Sequence, residues 1–483
     1  MKKIAKYLTA FLSALMLICA SVLVGCSSAP SVVSIEKTGT RGTDGIYTIT
    51  YSDGSTSELV IDGGADGQDV SASDLWQTYV QETGEDISYE EFLEKYLTIE
   101  SGDNSAAIGE TLLSSLKVYA EFVEESRSGF LRYEDTAVYT GGGVIYSMDD
   151  ENTYILTNYH VVYDSDASSG NANESGEKIA RKIVCYLYGS ESDPSRTNSR
   201  DEDGYTVIDY GSYSIECDYV GGSVNSDIAV LRAKTSDILA INESAAEITL
   251  ADGYHVGETA VAIGNPEGRG ISVTQGVIST ESDYISLDID GTARSYRSIR
   301  IDTPLYQGNS GGGLFNTDGE LIGIANAGNS TEENINYAIP LPIVTGTADN
   351  IIYYYEDGDD ATNGVYKIDF VEESALVSQN SVYEYDAQSG AGSISEDVVL
   401  GTGSVSGLSE EFGLATGDII RSFIIGRDGE NVEYEIDRTF DISDLLYILR
   451  PDDTLTVKYE RDGREDLTTS AIPLTASDFA AVA

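Results

Sequence analysis

Gly308-Asn309-Ser310-Gly311-Gly312 sets one serine among small residues. A serine so flanked can occupy a tight turn with its hydroxyl exposed. The backbone N–H groups of Gly308 and Ser310 can then converge on one point and hold a developing negative charge. Gly308, Asn309 and Ser310 are therefore the candidate oxyanion loop, with Ser310 the candidate nucleophile. Taken alone the pattern is weak, because the same G-x-S-x-G spacing serves more than one fold.

Histidine scarcity narrows the choice. A serine nucleophile needs a base that takes its proton near neutral pH, and histidine suits that role. The chain has two, His160 and His255. Neither follows Ser310, so the Ser…Asp…His order of the α/β-hydrolases is impossible. His160 ends the strand-like run Ile155-Leu156-Thr157-Asn158-Tyr159-His160-Val161-Val162, whereas His255 lies in the polar turn Asp252-Gly253-Tyr254-His255-Val256-Gly257. His160 is the better base; the plain alternative is a core histidine. Asp227 supplies the third group. Most acids here lie in polar runs, but Asp227 heads the apolar strand Ile228-Ala229-Val230-Leu231. The order His160…Asp227…Ser310 is that of the chymotrypsin triad.

At these residues the sequence resembles the HtrA/Deg family of trypsin-like serine proteases. Thr157–Val162, Ser226–Leu231 and Gly308–Gly312 are similar to its three catalytic motifs. Gly141-Gly142-Gly143-Val144-Ile145, Ala262–Gly268, Val273–Ser279 and Asn336-Tyr337-Ala338-Ile339-Pro340 match in the same order. The resemblance implies a mostly β fold: two six-stranded antiparallel barrels of chymotrypsin type with the triad in the cleft between them. It also implies polypeptide substrates, unfolded or misfolded exported proteins among them, and a homotrimer. It implies no cofactor and no metal. The segment before the nucleophile departs from the pattern. Pro304, Leu305 and Tyr306 stand where small apolar residues are usual and are the candidate substrate pocket. No acid occupies the pocket-base position, so the P1 residue is expected to be small or medium aliphatic rather than Lys or Arg.

Composition bounds the rest. The 483 residues carry 28 Lys+Arg against 82 Asp+Glu, a formal charge of −54, so phosphate backbones are repelled and nucleic-acid binding is excluded. With 33 Tyr and 49 Gly against 1 Trp and 3 Met, strands and turns are favoured over helical bundles. Lys2, Lys3 and Lys6 followed by an apolar run from Leu8 to Val24 read as an export signal. Leu23-Val24-Gly25-Cys26 resembles the bacterial lipobox, with Cys26 lipidated and the acidic chain held at the extracytoplasmic face of the membrane. Cys185 and Cys217 remain, both in strand-like runs. A disulfide and two buried thiols stand as equal readings.

The chain divides into a signal at 1–25, an accessory region at 26–100 with a β-meander and two short helices, and a linker at 101–106. The protease-like block at 107–350 follows, then a linker at 351–363, a PDZ-like block at 364–475 and a tail at 476–483. Polar insertions at 164–180 and 189–212 read as solvated loops. The last block resembles the α+β PDZ domains of the same family through Gly413–Ile420, Phe440–Pro451 and Leu455–Arg464. Its peptide loop is expected at Tyr366, Lys367, Ile368, Asp369 and Phe370, where Asp369 would oppose a peptide C-terminal carboxylate. The competing functional reading is a catalytically silent, protease-fold lipoprotein that binds or senses.

Overall fold

The computed structural model describes residues 32–41, 44–51, 56–61, 105–128, 131–168, 171, 178–328, 334–357, 364–385 and 392–482. Cys26, the signal and the two short helices expected before residue 100 lie outside them. Residues 1–103 and 104–483 are two separate compact units. In the first, strands Val32–Arg41, Asp44–Tyr51 and Thr56–Ile61 pair as an antiparallel meander.

The second unit opens with a closed six-stranded barrel. Its order is Ile215–Ser223, Ile228–Lys234, Asn152–Thr157, Leu131–Met148, Ser115–Ser128 and Lys182–Leu187, which returns to the first strand. The short apolar runs seen in the sequence are its strands. From Thr153 to Thr157 and from Ile228 to Leu231 every residue is buried, as a closed barrel over a covering neighbour requires.

A second ring runs Glu320–Gly328, Gly313–Phe315, Thr259–Gly264, Ser272–Asp288, Ala293–Ile301 and Asn336–Pro340, closing back on Glu320–Gly328. Thr249–Leu250 adds a short parallel strand to it. The expected double barrel is therefore present. Of the polar insertions, 189–212 is not merely loop: Ser195–Arg200 and Thr206–Asp209 form a hairpin. Charge holds it where apolar periodicity is lacking. Arg196 and Arg200 both pair with Asp135, and Arg181 bridges Glu121 and Asp201.

Helix Leu341–Asp357 follows the second barrel, so the expected linker at 351–363 begins as helix. Beyond it, a sheet runs Leu376–Tyr385, Gly392–Leu400, Ile419–Arg427, Thr454–Arg461 and Arg464–Thr468. Helix Thr439–Ile448 lies between this sheet's core and the barrels: Ile442 and Leu446 join the C-terminal core, while Tyr447 joins the second-barrel core. The expected tail is ordered as well. Phe479–Val482 pairs with Val365–Ile368.

Candidate active site

The site forms where the barrels touch. Gly142 N–H donates to Ser310 O (2.8 Å), tying a first-barrel strand to the nucleophile loop. A Cβ on Gly142 would lie 2.7 Å from Gly312 N, and one on Gly311 would lie 2.2 Å from Thr157 Oγ1. The glycines of both motifs are thus required by close backbone approach.

Asp227 is wholly buried at the turn that starts its strand, with a left-handed backbone (φ 53°). Short polar residues tolerate that conformation best, and such strain gathers at functional sites. The turn aims both ends of the residue at the His160 segment. The carboxylate accepts from His160 Nδ1 at 2.7 Å and from His160 N–H at 3.0 Å. The Asp227 carbonyl accepts from Tyr159 N–H (3.1 Å) and Asn158 Nδ2 (2.9 Å). Burial of the imidazole works against its charged form, but the Asp227 charge and hydrogen bond outweigh it and raise the His160 pKa above the usual histidine value.

Ser310 lies on the adjoining loop: a Cβ on Gly141 would lie 2.8 Å from both Ser310 O and the Val161 side chain. Ser310 Oγ donates to the backbone carbonyl of Asn326 (3.1 Å) rather than to the imidazole. Within the loop, Gly308 is left-handed (φ 99°), and a Cβ there would lie 2.3 Å from Asn265 O. Asn309 N–H is already engaged by Tyr306 O (2.9 Å). Asn309 is therefore removed from the expected oxyanion donors, because its amide is consumed in closing the turn. The amides of Gly308 and Ser310 remain.

Beside Ser310 opens a cavity of about 420 Å³ lined by Pro304, Leu305 and Tyr306, the three residues singled out in the sequence. Asn326, Ala327, Gly328 and Asn336 form its other wall. These four were missed. The available signal was two asparagines within otherwise apolar strands.

Residues 141–324, which contain His160, Asp227 and Ser310, match the model of the trypsin-like peptidase domain. The chain is similar to serine proteases of HtrA type. It is 27% identical over 337 residues to the serine protease Do-like HtrA of Bacillus subtilis, a match covering 69% of this chain and 63% of that one. To the serine protease HtrA-like of Staphylococcus aureus it is 28% identical over 339 residues, covering 67% of this chain and 36% of that one. The chain thus spans less than two thirds of the length of these HtrA relatives. Among solved structures, the HtrA-type protease AlgW with decapeptide is similar at 21% identity and a TM-score of 0.42, covering 76% of this chain and 98% of that one.

The other residues singled out in the sequence do not line the cavity beside Ser310. His255 sits on an exposed turn. Cys185 and Cys217 are free thiols buried inside the first barrel, with sulfurs 3.3 Å apart. No cluster of metal-ligating side chains occurs among the described residues.

Proposed function

We propose that the chain is a serine endopeptidase, tethered by lipid on Cys26 at the extracytoplasmic face of a bacterial membrane. In this reading it cleaves unfolded or misfolded exported polypeptides and is gated by its PDZ-like block. One observation carries the catalytic part: the buried Asp227 carboxylate grips His160 by ring and backbone at once, while Ser310 lines an open cavity. Asp227 then fixes the tautomer that leaves Nε2 free to act on the serine. His160 takes the Ser310 proton as Oγ attacks the peptide carbonyl, and the amides of Gly308 and Ser310 hold the oxyanion. His160 returns the proton to the departing amine, and water admitted by the same base releases the acyl group. Among the described residues no charged side chain lines the cavity, in keeping with an uncharged, aliphatic P1 residue. Family relationship supports the substrate class and a trimeric assembly, and the lipobox-like sequence supports the anchor.

One observation favours the silent-binder reading: Ser310 Oγ is bound to Asn326 O. Catalytic hydrogen bonds commonly tighten only once substrate is present, so the endopeptidase reading is kept as the conclusion. Labelling of the purified chain with a fluorophosphonate probe, with and without an unfolded polypeptide, tests it. Labelling that vanishes in Ser310→Ala is expected. Folded protein that never labels, even with substrate present, would leave the binder.

A further inference from the structure

The strand Val365–Ile368 has one edge occupied at Tyr366 by a side chain. Helix residue Asn350 accepts from Tyr366 N–H through Oδ1 (2.9 Å) and donates through Nδ2 to Tyr366 O (2.8 Å). A carboxamide there copies the donor–acceptor pair of a neighbouring strand. The same Nδ2 also reaches Tyr447 O of helix Thr439–Ile448 (3.1 Å), so the plug is fixed from behind.

The opposite edge takes a strand, and the chain fills it with its own segment. Val365 faces Val482, Tyr366 faces Ala481, Lys367 faces Ala480 and Ile368 faces Phe479, all antiparallel. This stretch covers most of the expected peptide loop. Antiparallel addition to a sheet edge is also how a peptide docks by strand augmentation, with main-chain bonds giving affinity and alternate side chains giving selectivity.

The occupant is thinly anchored. Phe479 is buried in the C-terminal core with Ile368 and Phe370. Val482, on the other face of the strand, packs against the second-barrel core with Val365 and Tyr447. Between them Ala480 and Ala481 are exposed. Selectivity therefore reduces to an aromatic residue followed, three positions on, by an aliphatic one. The segment reaches the edge through a short capped turn, in which Asp478 accepts from Thr475 N–H and Thr475 Oγ1.

We propose that the edge of Val365–Ile368 opposite Asn350 is a binding site for an extended polypeptide of aromatic-x-x-aliphatic pattern, and that Phe479–Val482 is its resident, exchangeable occupant. The proposal rests on the peptide-binding part of the function above and not on its catalytic part. A short tether gives the resident an effective concentration in roughly the millimolar range, so a free peptide of equal intrinsic affinity is masked while the tether holds. The site joins the barrel core to the C-terminal core, so exchange would be felt at the joint between them.

The test uses the full chain carrying Ser310→Ala, so that no probe is cut, and a fluorescent synthetic peptide spanning residues 474–482. Binding is read by anisotropy. The full chain is expected to bind weakly. A chain ending at Leu474, and separately Ala480→Pro, which breaks the ladder while sparing both anchors, are expected to bind the peptide at least tenfold more tightly. A peptide carrying Phe479→Asp should not bind to either. Folded variants that bind no better than the full chain would overturn the proposal, making Phe479–Val482 a fixed structural strand. Loss of folding in both variants would overturn it equally. A failure of fluorophosphonate labelling leaves this outcome untouched, because the readout requires no chemistry at Ser310.

Discussion

Where the two barrels meet, backbone lies against backbone; where the barrels meet the C-terminal block, charged and amide side chains make the join. At the first seam Gly142 and Gly311 leave no room for a methyl group. At the second, Arg297 of a second-barrel strand pairs with Asp444 of helix Thr439–Ile448, both nearly inaccessible, and the guanidinium lies 4.3 Å from the Phe440 ring. Gly346 meets Tyr447 alongside. A glycine seam admits one geometry and so holds the nucleophile loop in register with the His160–Asp227 pair. A seam of buried charge has a different character: it is stable only while both partners are present, and protons act on it.

The largest expected effect breaks the second seam. Arg297→Met leaves the Asp444 carboxylate buried without its cation, which should cost about 3–5 kcal/mol in chemical denaturation. The double variant Arg297→Met, Asp444→Leu should recover most of that loss, because a well-packed apolar pair commonly replaces a buried ion pair without penalty. Equal damage in single and double variants would show that side-chain shape, not charge, makes the join.

A smaller loss is expected at the first seam, with a sharper functional signature. Gly142→Ala must push apart atoms that already touch, at about 1–3 kcal/mol of stability. Because the push falls on Gly312 N, cleavage of an unfolded polypeptide should fall far more than the melting temperature suggests. Parallel losses in both would make this seam a packing contact and no more.

The smallest effect separates the seams by pH. Burial pushes Asp441, in the first turn of helix Thr439–Ile448, up to about 6 from an ordinary 3.8. The folded chain then holds a proton between those values that the unfolded chain has lost, so stability falls as pH rises through that window. Asp441→Asn should remove a slope on the order of 1 kcal/mol per pH unit, measured as melting temperature against pH. An unchanged slope would assign the titration to other groups.

The site was legible in the sequence because its parts carry chemistry. With two histidines in the chain, His160 had almost no rival, and an acid heading an apolar strand identified Asp227. The double barrel followed from motifs in a fixed order. What stayed hidden lacks such a signature. The Asn309 amide is spent on a turn, which no side chain announces. Asn326 and Asn336 entered the pocket wall through strand geometry alone. The hairpin within 189–212 is held by arginines whose acid partners lie far away in sequence. Phe479-Ala480-Ala481-Val482 is too short to show a period, and Asn350 sits inside a helix with nothing to mark it as a strand mimic.

That mimicry bears on how the molecule behaves in a crowd. An open strand edge is a template on which one copy of a protein can build onto another, ending in aggregates. Asn350 removes that hazard from one side of Val365–Ile368 for as long as the helix is folded. At Val365–Ile368 the remaining side is the one covered by Phe479–Val482, so strand-to-strand association through this strand has a single direction open to it.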